Sequence, residues 1–141
     1  MIDGLYNTDI LSLAANISHV GKLEKPCGTA RKVSKLCGSW IEIDICVEGE
    51  VVTGFAVRLQ ACALGQASTA ILAEAVIGAT AREIQAARDG LYGMLKQGGE
   101  PQEGRFSKLA LLSDVANYPA RHISTLLAFD AVLAALENAG T

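Results

Sequence analysis

Charged side chains are scarce in this sequence. Asp, Glu, Lys and Arg make up 19% of its 141 residues, while half of the residues are hydrophobic. Ordinary soluble domains carry about 25% charged residues. A chain so poor in charge either buries much of itself or turns a face toward a partner. The charge that is present leans acidic, with a formal net charge of −3 and a pI near 5.3. Contacts to nucleic-acid phosphates need a basic face. No basic stripe with interleaved aromatics occurs, so the sequence argues against nucleic-acid binding.

Long hydrophobic runs are missing too. The most apolar stretch, Ala61 to Thr80, is interrupted by Gln66, Ser68 and Glu74, which is too polar for a membrane-spanning helix. The opening residues, MIDGLYNTDI, are mixed and acidic, unlike a secretory leader with its basic start and apolar middle. The expectation is a cytoplasmic protein. Internal repeats and low-complexity tracts are absent, and the length suits one domain spanning residues 1–141. Four cysteines are present, Cys27, Cys37, Cys46 and Cys62, but no CxxC pair. Spacing alone therefore gives little support to a zinc finger or a thioredoxin-like motif. With no leader and a core of this size, reduced thiols are expected rather than disulfides.

The remaining pattern reads as an ordered series of elements. Residues 4–16 place Leu5, Ile10, Leu11, Leu13 and Ala14 at the spacing of a short amphipathic helix. Residues 17–38, with Gly21, Pro26 and Gly28, read mostly as loop, with a short strand through Arg31 to Leu36. In WIEIDICV, Ile41, Ile43, Ile45 and Val47 alternate with Glu42, Asp44 and Cys46, the signature of a half-buried strand. A turn at Glu48–Glu50 leads into VVTGFAVRLQ, with Val51, Phe55, Val57 and Leu59 assigned to one face. Helices are predicted from Gly65 to Ile77 and from Ala81 to Lys96. The second begins at Thr80, with Glu83 three residues on, as in a capping box. QGGEPQEGR reads as an exposed linker and 106–115 as a short turn or helix. A last helix runs from Asn117 and Pro119 to about Asn138. Helix, strands, then helices indicate an α+β fold, a three-stranded antiparallel sheet with helices on one face.

Chemistry is expected at one end of that sheet. Cys37 precedes one strand and Cys62 follows the next, so an antiparallel hairpin brings both to the same end. Cys62 also precedes a helix, whose N-terminal N–H groups and dipole favour an anionic thiolate. Arg121, His122 and Ser124, at the start of the last helix, are further candidates. A buried Cys62 acting as a small core residue is the competing reading.

Four segments resemble the U-type iron–sulfur cluster scaffold family, which comprises IscU, SufU and the N-terminal part of NifU. They are Asn16-Ile17-Ser18-His19-Val20-Gly21, Cys37-Gly38-Ser39, the run from Ala61 to Ser68, and the run from Ser124 to Ala131. Tyr118–Arg121 and the segment around 94–107 are most similar to the SufU branch. The resemblance covers nearly the whole chain. It implies a scaffold rather than an enzyme, holding a transient [2Fe–2S] cluster or zinc. It also implies a cysteine desulfurase and cluster acceptors as partners, and a monomer or weak homodimer. The family binds its cargo through three cysteines and an aspartate. By this resemblance Cys37 and Cys62 are retained ligands, Ser39 stands where the aspartate belongs, and Ser124 stands where the third cysteine belongs. Serine is a poor ligand for iron or zinc beside thiolate. His122 is a candidate nitrogen ligand and Arg121 a candidate cation beside the thiolates. An adaptor that no longer carries metal is the alternative function.

Overall fold

The alternation in WIEIDICV sets the frame of the molecule. In the computed structural model, which describes residues 5–35, 38–100 and 103–140, Ile41, Ile43 and Ile45 are fully buried. Each contributes about 2 kcal/mol of hydrophobic stabilisation by leaving water. They lie on the central strand of an antiparallel sheet ordered β1-β2-β3, built from Gly28–Val33, Trp40–Glu48 and Val51–Gln60. Opposite the three isoleucines, β3 presents Leu59, Val57 and Phe55 on the same face. The remaining elements are α1 (Thr8–Ala15), α2 (Ala63–Ala75), α3 (Ala81–Lys96), two 3₁₀ stretches (Ser107–Asn117 and Pro119–Arg121) and α4 (His122–Asn138). The core is continuous from the sheet through α2 and α4 to α3. It is the α+β arrangement expected from the sequence.

Several element boundaries have identifiable causes. α1 begins at Thr8 rather than residue 4 because the Asn7 side chain accepts the Ile10 N–H at 3.0 Å and fixes the N-cap there. α3 starts where Thr80 and Glu83 form the predicted capping box. α4 packs directly onto β1 at Gly28. A Cβ there would collide with the Ala135 carbonyl oxygen and lie 2.6 Å from the Ala139 nitrogen.

Two expectations require correction. The first is the inward face of β3. Pairing slips by one residue between Cys46 and Val47, so Val47 pairs with Val52 and Thr53 becomes the extra residue of a bulge. Val52, at 1% exposure, is therefore the core residue and Val51 is exposed. Simple alternation places these two valines the wrong way round because it assumes an unbroken register.

The second is the state of the cysteines. Cys27 and Cys46 are joined by a disulfide, where reduced thiols were expected. β1 starts at Gly28, not Arg31, and Gly28 pairs with Ile45. That register sets the preceding residue, Cys27, beside Cys46 on the sheet face away from the helices. A strap, residues 17–27, covers this outer face. It joins the β3 edge where Val57 N–H donates to the His19 carbonyl and Gly21 N–H to the Val57 carbonyl, each at 3.0 Å. It then crosses β2, where Leu23 N–H donates to Asp44 Oδ2 at 3.0 Å, and ends at the disulfide. Beneath it, Arg58 makes paired 3.0 Å bonds to both Asp44 oxygens and one of 2.9 Å to Glu42. These bonds with Arg58 outweigh burial and lower the Asp44 carboxyl to about 2.

Candidate functional site

The β2–β3 hairpin carries the expected residues to one end of the sheet. Trp40 pairs with Gln60 at its last rung. Beyond that rung Gly38, Ser39, Gln60, Ala61 and Cys62 line a cleft of ≈ 270 Å³. Gly38 takes φ +73°, the left-handed region open to glycine. The turn closes through bonds of 2.8 Å from Gly38 N–H to the Ser34 carbonyl and from Ser34 N–H to the Ser39 carbonyl. Ser39 is 4% exposed. Cys37, the predicted partner thiol, lies outside the described residues.

Cys62 is the N-cap residue of α2, with extended backbone and no side-chain capping bond. It is a free, half-buried cysteine. Its Sγ lies 3.7 Å from Ser124 Oγ in the first turn of α4. The two helix starts approach because residue 65 is glycine: a Cβ there would be 3.0 Å from the Ala61 Cβ and 3.3 Å from the Ser124 carbonyl oxygen. Ser124 is buried at 2% exposure and donates to the Arg121 carbonyl at 3.2 Å. Thr125 donates to the same carbonyl at 2.8 Å. The end of β3, the start of α2 and the start of α4 thus converge on the Cys62 thiol, with the Ser124 hydroxyl beside it.

The structure does not bring His122 into this group. His122 and Ser124 are two positions apart, roughly 200° around the helix. The imidazole Nε2 lies 2.9 Å from the Val115 carbonyl, and Nδ1 lies 3.2 Å from Lys96 Nζ. Nε2–H donating to Val115 and Nδ1 accepting from Lys96 fit one tautomer, leaving no ring lone pair for a metal. The expected ligand is instead an anchor for the start of α4. Arg121 is half-buried and makes no ion pair among the described residues; its N–H donates to the Tyr118 carbonyl at 2.8 Å and its own carbonyl accepts from Ser124 and Thr125. Asp130 pairs with Arg88 at 2.9 Å. Among the described residues, no three His, Cys, Asp or Glu side chains come close enough to share a metal ion. Among the described residues, one soft thiolate beside two serines is a thin donor set for iron or zinc, and it fits such cargo only if further thiol or sulfide ligands join it.

The sheet end, the thiol at a helix start and the converging first turn of α4 define an α+β fold with a free cysteine at one end of its sheet. Comparison with known proteins gives that class its family. The family model for the NifU-like N-terminal domain matches residues 5–125, and the chain belongs to this family of U-type iron–sulfur cluster scaffolds. It is 29% identical to the iron–sulfur cluster assembly scaffold protein IscU of Thermotoga maritima over 134 residues, 95% of this chain and 94% of that protein. The crystal structure of a nitrogen-fixing NifU-like protein (N-terminal) from Brucella abortus superposes with a TM-score of 0.96 at 47% identity. That match covers 99% of this chain and 96% of the other. A candidate cluster assembly scaffold for the SUF system of Fervidobacterium islandicum matches with a TM-score of 0.86 at 25% identity, covering 94% and 97%.

Proposed function

We propose that this chain works in iron–sulfur cluster assembly as a scaffold-like protein of one domain, with Cys62 as its principal thiol. The observation that carries this reading is the position of Cys62. It is a free cysteine at the mouth of a cleft, at the start of α2, 3.7 Å from the residue that stands at the third ligand position. In this reading Cys62 accepts sulfur from a cysteine desulfurase. The donor persulfide gives its terminal sulfur to the Cys62 thiolate, the donor S–S bond breaks, and the donor cysteine leaves as thiolate. Cys37 is the second protein ligand for iron, zinc or a nascent [2Fe–2S] cluster, which is cargo passed to acceptor proteins. Ser124 and Arg121 border the cargo. The protein does not turn over substrate as an enzyme, it acts in the cytoplasm, and it is a monomer or weak homodimer.

Mass spectrometry after incubation with a cysteine desulfurase and free cysteine tests the sulfur step. The expected result is one added sulfur on the Cys62 peptide, kept in Cys37→Ala and lost in Cys62→Ala. Sulfur that never appears on Cys62 would overturn the reading.

A second reading rests on Ser39 and Ser124. With both in place of stronger ligands, the chain would be an adaptor that binds the desulfurase without carrying metal. Restoring Ser39→Asp with Ser124→Cys would then create metal binding that the natural protein lacks. Stoichiometric metal in the natural protein removes this alternative.

A further inference from the structure

The outer face of the sheet carries a second pair of sulfurs that cluster assembly does not use. Cys27 and Cys46 are bonded to each other, and Cys27 is exposed while Cys46 is half-buried. They are remote from Cys62. Cys46 pairs with Gly54, whereas the Cys62 end is marked by Trp40 and Gln60. Six residues of strand separate the two places, about 20 Å, and Cys62 lies beyond the last rung of the sheet.

The surroundings of Cys46 suit both redox states. Cys27 N–H, which also donates to the Ile45 carbonyl at 2.9 Å, is 3.0 Å from Cys46 Sγ. A thiolate released at Cys46 would find that donor in place. Once protonated, its S–H has the Lys25 carbonyl as acceptor at 3.4 Å. The bond also has a mechanical consequence. The strap over Asp44 and Arg58 is held by backbone bonds at His19–Gly21, by Arg58 donating to the Gly21 carbonyl at 2.8 Å, by Leu23, and by the run of its last residue into β1, and the disulfide adds a covalent crosslink from that end to β2.

We propose that Cys27 and Cys46 form a thiol–disulfide exchange site for low-molecular-weight thiols of the glutathione class, and that its redox state sets how firmly the strap is held. A reductant thiolate attacks the exposed Cys27 sulfur. The S–S bond breaks and its electron pair leaves with Cys46, which the Cys27 N–H receives. A second reductant thiolate then attacks the reductant sulfur of the mixed disulfide and frees Cys27. Two thiols are oxidised to one disulfide, the protein disulfide is reduced by two electrons, and solvent protonates the released thiolates. The reverse sequence, driven by glutathione disulfide, closes the bond.

The experiment equilibrates the native full chain with reduced and oxidised glutathione across a range of ratios. Free thiols are then alkylated and the peptides identified by mass spectrometry. The bond between Cys27 and Cys46 is expected in oxidising mixtures and absent in reducing ones, reversibly and without denaturant. On reduction, amide exchange in residues 22–27 should accelerate by at least about tenfold, while alkylation of Cys62 stays unchanged. In Cys46→Ser, Cys27 should take up glutathione faster than Cys46 does in Cys27→Ser, following exposure. Two free thiols in every mixture would overturn the proposal, as would a bond that opens only after denaturation. Because nothing here is read from metal, sulfide or Cys62 persulfide, the result stands apart from the outcome of the scaffold tests.

Discussion

Asp44 shows how much a single buried carboxylate can carry. It is 3% exposed and accepts bonds from Arg58, Leu23 and Thr29, which hold its carboxyl at about 2 against an ordinary 3.8. A folded-state value below the unfolded one stabilises the fold above pH ~4, and that contribution disappears as pH falls through ~2. Asp44→Asn should therefore cost about 2 kcal/mol at neutral pH, with the gap to the natural protein closing near pH 2; urea denaturation across that range measures it. Ser68 is the opposite case. Its hydroxyl is wholly buried in α2 with no hydrogen-bond partner among the described residues, so removing it relieves an uncompensated polar group. Ser68→Ala should leave thermal stability unchanged or raise it, by up to about 1 kcal/mol, as calorimetry would show. Neither residue could be read this way from the sequence. The Glu42–Asp44 alternation announces an outward face, but the strap that buries Asp44 comes from a segment without periodicity.

At the scale of elements, the sequence was most informative where the pattern is long and regular. β2 and α3 fall where Ile41–Ile45 and the Thr80–Glu83 box put them. Legibility failed where a local event breaks the period. The bulge at Thr53 exchanges Val51 for Val52 in the core, and the earlier start of β1 at Gly28 hides the Cys27–Cys46 pairing from any reading that begins the strand at Arg31. Had the strand been started at Gly28, the Gly28–Ile45 register would have brought Cys27 beside Cys46. Gly28 itself is fixed by the contact between β1 and α4. Gly28→Ala places a methyl against the Ala135 carbonyl and the Ala139 amide, both backbone, and neither can rotate away. The expected loss is about 2–3 kcal/mol, read from the denaturation midpoint. The disulfide closes a loop with a sequence separation of 19, and opening it should cost about 3 kcal/mol by the loop-entropy account. Denaturation with and without dithiothreitol checks that figure.

For the whole molecule, fold and site were legible to different degrees. The order of elements, with the motifs set at their junctions, pointed to the U-type scaffold family, and the chain belongs to it. The meeting of Cys62 with the start of α4 was legible only through that resemblance. No local pattern in Ala61–Ser68 or Ser124–Ala131 says that Sγ and Oγ come within 3.7 Å. His122 could reach the site only if its segment were not yet helical, but α4 already begins there, and the two-residue step from Ser124 turns its ring to Val115 and Lys96. The proposed site has serines at two positions where the resemblance to the family implies stronger ligands, and the central claim is that Cys62 still holds cargo there. Iron and acid-labile sulfide content after anaerobic reconstitution tests this most directly, with Cys62→Ala and the Ser39→Asp, Ser124→Cys double variant measured alongside. The account predicts iron and sulfide in the natural protein, none in Cys62→Ala, and retention at least about tenfold stronger, about 1.4 kcal/mol, in the double variant. Iron and sulfide in the double variant but none in the natural protein would contradict it.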